Sequence, residues 1–125
     1  MQIIHKVPDF VDERGEVTDI VYGIDVNSIT VITCKKGSVR GNHYHKKTTQ
    51  YTYVLSGKFE LFIQNGGEDV QSKIIEKGDL VLSPPNEKHA FKALENSMLI
   101  ACCDGPRAGK QYEEDTYRLE KPISK

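Results

Sequence analysis

No apolar run in these 125 residues approaches the roughly 20 residues needed to span a bilayer, so no membrane segment is expected. Neither sign of charge is in excess. A formal net charge of −1 gives no electrostatic case for binding nucleic acid or an acidic lipid surface. Cysteine is scarce: Cys34, Cys102 and Cys103 are odd in number, and the last two are adjacent. Neighbouring cysteines on a strand point their Cβ atoms apart, so buried free thiols are expected and a disulfide scaffold is not. The opening MQIIHKVPDF lacks the basic-then-apolar pattern of a secretory signal, which makes the cytoplasm the expected location. Repeats, low-complexity stretches and linkers are missing too. So is any long segment with a 3.6-residue apolar period, and helix should therefore be scarce.

What the chain does contain is strand signal. Short β-rich runs at 17–22, 28–34, 39–45, 50–56, 58–64, 70–75, 79–83, 89–94 and 98–103 are separated by turn residues. Among these turns are Asp12-Glu13-Arg14-Gly15, Asn65-Gly66-Gly67 and Pro84-Pro85-Asn86. Such regular spacing argues for an all-β sandwich or barrel, formed as a single domain over residues 1–125. The stretch before the first turn is read as an arm. The polar segment after Asp104-Gly105-Pro106 is read as an irregular tail anchored by Tyr112, Tyr117 and Leu119, with one helical turn near residues 113–116.

The richest stretch runs from Gly37 to Gly57, GSVRGNHYHKKTTQYTYVLSG. His43 and His45 lie two apart in a strand-like segment, so both rings should face one volume. Gln50 follows after a short polar turn, and His89 comes after the Pro84-Pro85 turn. His5, in the N-terminal arm, is read as a bystander. Three imidazoles and a carboxamide oxygen inside a barrel suit a divalent first-row metal: Zn, Ni, Fe, Mn or Cu. His43, His45, Gln50 and His89 are the expected ligands, with Gln50 alternatively a hydrogen-bond partner behind them. Without a carboxylate in the set, the cation keeps its full charge and its Lewis acidity. If Gln50 faces inward, Thr52 and Val54 do too, while Tyr51, Tyr53 and Leu55 face out. That outward row makes a homodimer through this sheet the expected assembly.

Gly37-x5-His43-x-His45-x4-Gln50-x6-Gly57 resembles the first motif of the cupins, with glutamine where glutamate is usual. Gly78-x5-Pro84-x-Asn86-x2-His89 resembles the second, spanning 78–89, with Asn86 in place of its second glycine. The resemblance implies a jelly-roll β-barrel with a metal site in its bore. More narrowly, Arg40-Gly41-Asn42-His43-Tyr44-His45-Lys46-Lys47 is similar to a stretch of the nucleotide-sugar cupins. These include the sugar 3,4-ketoisomerases, the 3,5-epimerases and the cupin domain of capsular polysaccharide synthesis reductases. Carried over, His43 and His45 fall on proton-transfer positions of the ketoisomerases, and Arg40 on a position near substrate. The ketoisomerases lack the downstream histidine and work without metal, whereas this chain has His89.

The leading expectation is proton transfer beside the carbonyl of a sugar or nucleotide sugar, as an isomerase or epimerase. His43, His45 or Tyr53 would be the base, since a ligated nitrogen cannot also take a proton. Arg40, Lys46 and Arg14 are candidates for holding a diphosphate. Alternatives are a metal-dependent dioxygenase and a non-catalytic sugar-binding module.

Overall fold

The computed structural model describes residues 1–106 and 114–125. Strand β1 (Gln2–His5) is followed by the short β2 (Phe10–Asp12) and β3 (Gly15–Val17), which pair as a hairpin. Then come β4 (Ser28–Cys34), β5 (Val39–Tyr44), β6 (Thr49–Ser56), β7 (Lys58–Gln64) and β8 (Gln71–Glu76). β9 (Asp79–Ser83), β10 (Lys88–Ala93), β11 (Ser97–Asp104) and the two-residue β12 (Tyr117–Arg118) complete the set. No helix forms among the described residues. Two five-stranded antiparallel sheets, ordered β1-β9-β6-β11-β4 and β12-β5-β10-β7-β8, face each other as a jelly roll.

Residue alternation builds the core. On β6 the inward residues Gln50, Thr52 and Val54 are buried, while Tyr51 and Tyr53 are half-buried and Leu55 is exposed. Val54, Val81 and Leu99 from the first sheet meet Phe59, Leu61, Ile63, Ile75 and Phe91 from the second. This apolar cluster fills much of the space between the sheets, while the cavity beside it, between β4 and β5, is lined by polar and apolar residues together. A smaller cluster lies outside the second sheet, where Ile123 of the tail covers Phe62 and Ala90.

Two expectations change at the N-terminus. The first residues are no loose arm, because β1 pairs with β9 in full register from Gln2↔Leu82 to His5↔Asp79. His5 Nδ1 lies 2.9 Å from Asp79 Oδ1, so this histidine belongs to the β1–β9 edge and not to the site. A strand at 17–22 does not form either. β3 ends at Val17, and the Asp19 amide is instead taken by the Asp9 carboxylate at 2.6 Å. At the C-terminus, Tyr112 and the beginning of the turn near 113–116 lie outside the described residues, whereas Glu114–Asp115 do form a turn. All three cysteines are free and buried. Among the described residues no helix is long and apolar enough to cross a membrane.

Candidate metal centre and its cavity

A bulge in β5 creates the site. His43 pairs with His89 on β10, but the next pair is Gly41↔Ala90, so Asn42 is the extra residue. Asn42 has φ +57° and Gly41 φ +97°. A Cβ on Gly41 would lie 2.7 Å from the His89 carbonyl oxygen, so only glycine lets β5 come this close to β10. Strict alternation would set Arg40 and His43, three residues apart, on opposite faces. The extra residue puts both on the inner one, with Arg40 opposite Phe91 and His43 opposite His89.

The second motif aims His89. Glu87 N donates to the Pro84 carbonyl at 3.3 Å across a turn with Pro85 and Asn86 at its centre, and Asn86 has φ +72°. This is the type II pattern, in which asparagine tolerates the position usually given to glycine. Asn86 N also donates to the His45 carbonyl at 2.6 Å, which ties the two histidine segments together.

The rings of His43, His45 and His89 therefore converge. Their centroids are separated by 4.9 Å (43–45), 4.8 Å (43–89) and 5.5 Å (45–89). One donor nitrogen from each lies within 4.8 Å of the others. His89 is 1% exposed, and neither of its ring nitrogens makes a close hydrogen bond, the Glu87 backbone giving the ring only a weak contact. Burial, reinforced by repulsion from His43 and His45, holds its pKa well below 6.5, so the ring is neutral. His45 Nδ1 donates to the Asp115 carbonyl at 2.8 Å, which leaves a lone pair on Nε2, 3.3 Å from Gln50 Oε1. Two acceptors at that distance, beside a buried imidazole without a close hydrogen bond, are the donor set that a divalent cation satisfies.

The cluster opens into a cavity of about 480 Å³ between β4 and β5, lined by His43, Gln50, His89, Phe91, Arg40 and Arg118 among others. Arg40 Nη2 donates to the Thr33 carbonyl at 3.1 Å and so spans the mouth from one sheet to the other.

Three expected site residues are not brought here. Tyr53 does not line the cavity: it pairs with Leu80 and Ile100 on the face opposite Gln50, as strand alternation requires. Arg14 is closed on Asp12 within its own hairpin, through contacts of 2.9 and 2.6 Å. Its guanidinium also holds the Asp12 carboxyl below its usual pKa. Lys46 points its ammonium at the Tyr117 ring, 4.2 Å from the centroid. Tyr44 stacks on that same Tyr117 ring, away from the histidines.

The tail supplies two residues with no sequence signal. Arg118 pairs with His43 and extends the row His89–His43 by one strand, into the cavity wall. Asp115, 2% exposed, receives the amides of Lys46 at 3.0 Å and of Lys47 and Thr48 at 2.8 Å each. Burial alone would raise its carboxyl, but those three amides together with the Thr48 side chain outweigh it and hold the pKa below the usual value.

The sequence profile of the cupin domain matches residues 30–103, which includes every histidine of the cluster. The chain belongs to the cupin family. No curated protein sequence matches this cupin. Among solved structures it is similar to a 3,4-ketoisomerase from Helicobacter canadensis, with a TM-score of 0.79 and 17% identity over 94% of this chain and 90% of that one. It is also similar to QdtA, a sugar 3,4-ketoisomerase from Thermoanaerobacterium thermosaccharolyticum in complex with TDP (TM-score 0.74, 22% identity, 95% and 88% covered). The capsular polysaccharide assembling protein CapF from Staphylococcus aureus matches with a TM-score of 0.67 and 22% identity over 93% of this cupin. This cupin spans only 34% of the CapF chain. At such identities the likeness establishes the jelly roll.

Proposed function

We propose that this cupin binds a divalent first-row transition metal through His43, His45, His89 and Gln50 and moves a proton beside the carbonyl of a sugar or nucleotide sugar. The observation that carries the metal reading is the buried His89 ring, held by no close hydrogen bond and with two further imidazoles about 5 Å away, all three donor nitrogens lying within 4.8 Å of one another. When bound, the cation supplies Lewis-acid polarisation of a carbonyl oxygen. Arg40 and Arg118 give the wall positive charge suited to a diphosphate, and Phe91 offers an apolar surface to a sugar ring. The structural likeness to a ketoisomerase in complex with TDP supports that choice of ligand.

Among the described residues that line the cavity there is no aspartate, glutamate or tyrosine, which leaves the imidazoles as the proton acceptors of that lining. A nitrogen that holds a cation cannot do so, and metal content therefore separates two mechanisms. With metal, all three rings would be held as ligands with their second nitrogens protonated, so the cation would supply polarisation and the proton would pass to solvent rather than to a ring. Without it, His43 or His45 is the free base and the arginines carry the developing charge. The same lack of a carboxylate favours one second reading, a sugar-binding module without turnover.

Two measurements decide. Elemental analysis of untagged protein should show about one metal per chain, lost in His43→Ala, His45→Ala and His89→Ala. Exchange of a 4-keto sugar's α-proton in deuterated water, followed by NMR, should be catalysed. Full metal retention in all three variants would remove the metal, and saturable binding without exchange would leave the binding module.

We propose further that two copies associate through the outer face of the first sheet. The rows Val31–Ile100–Tyr53–Leu80–Ile4 and Ile29–Cys102–Tyr51–Leu82–Gln2 carry no charge, and Ile29, Val31 and Ile4 are each more than half exposed.

A further inference from the structure

His45 is held from behind by the C-terminal tail. The β5–β6 connection presents three successive backbone N–H groups, of Lys46, Lys47 and Thr48, and the Asp115 carboxylate receives all three. A concave run of amides of this kind is an anion site, and here the protein fills it with its own buried aspartate. The anchored residue then turns its main-chain carbonyl to His45 Nδ1 at 2.8 Å. A carbonyl oxygen only accepts, so the proton of a neutral His45 must sit on Nδ1. The lone pair is thereby confined to Nε2, the nitrogen facing Gln50.

We infer that Asp115 is a positioning residue, whose carboxylate, seated in the 46–48 amides, sets the His45 tautomer and aims its Nε2 lone pair at the cluster. The inference rests on the reading that the cluster uses that lone pair, whether for a cation or for a proton. Any residue at 115 has a carbonyl. What the aspartate adds is the anchor that fixes where the carbonyl points. A tail that merely covered the barrel would need only Ile123 on Phe62 and the Asn42 contacts to residues 123 and 124. Those contacts lie elsewhere and do not touch the ring.

The test is long-range ¹H–¹⁵N NMR of the full, metal-free chain with labelled histidine, slightly above neutral pH. In the wild type, His45 should show a protonated Nδ1 and a bare Nε2; a proton on Nε2 overturns the inference without any variant. In Asp115→Asn and Asp115→Ala, each with an unchanged β-sheet circular dichroism spectrum, His45 should lose the pure Nδ1–H form. If both variants keep it, the inference is overturned. Zn²⁺ affinity, measured by chelator competition, should fall about 10–100-fold in Asp115→Ala. Should the wild type bind no metal yet show the tautomer and its loss, the metal reading alone fails and the positioning role stands.

Discussion

His89 shows what a single buried ring can carry. Its neutral state is set first by burial, which strips hydration from the imidazolium, and then by the adjoining His43 and His45. An unfolded chain binds this proton below about pH 6.5, whereas the folded metal-free chain resists it. The stability linked to the group is therefore present above that value and is lost as pH falls. The melting temperature of metal-free protein should drop between about pH 7 and pH 5.5, with a slope of up to about 1.4 kcal/mol per unit from this residue. His89→Leu should flatten that dependence in differential scanning calorimetry, and an equally steep curve in the variant would assign the effect elsewhere. The histidines were legible because period-two spacing and a proline turn are local signals. Arg14, Lys46 and Tyr53 stand outside the cavity lining for a physical reason each: a carboxylate two residues away, an aromatic ring under an ammonium, and the outward parity of β6.

The strand that matters most is β5, where one surplus residue re-aims two side chains. Gly41 tests this directly, since alanine there meets both positive φ and the His89 backbone at 2.7 Å. Gly41→Ala should destabilise the protein by at least about 2 kcal/mol in urea unfolding. The variants that do fold should hold metal more weakly, because β10 must move to accommodate the methyl group. A neutral outcome would mean that β5 and β10 are not so closely apposed. Strands 28–34, 58–64 and 79–83 could be read residue for residue, since each is an apolar-rich run bounded by turn residues such as Gly57, Asn65-Gly66-Gly67, Gly78 and Pro84. The bulge could not be read, because an extra residue in a ladder shows only against its partner strand. β12 could not either: two residues hold no period. β1 was missed for a related reason, its pairing with β9 being more than seventy positions distant.

Taken whole, the molecule presents one uncharged sheet face and one covered by its own tail. Association through the uncharged face predicts a sedimenting mass of about twice the 14.1 kDa of the chain. Replacing Ile29, 69% exposed and outside the cavity lining, by Glu together with Tyr53 by Lys should yield monomers that keep the cavity and the histidine cluster. A wild-type monomer at micromolar concentration would end the proposal. The layering of two sheets was legible from strand count and turn spacing. The role of the tail was not, because Asn42 and Asp115 recruit it through contacts roughly seventy to eighty positions apart in the chain.

The Asn42 contacts carry one more consequence. Asn42 receives the amides of Ile123 and Ser124 and accepts Leu119 N on its own carbonyl, so a short terminal ribbon is clipped to the bulge and delivers Arg118 beside His43. One side of the binding chamber is thus an appendage, not part of the scaffold. Swapping residues 117–124 for another sequence that still fits the clip would redraw ligand preference while the imidazoles stay put, which makes the chain's last few residues the natural place for relatives to diverge in what they accept.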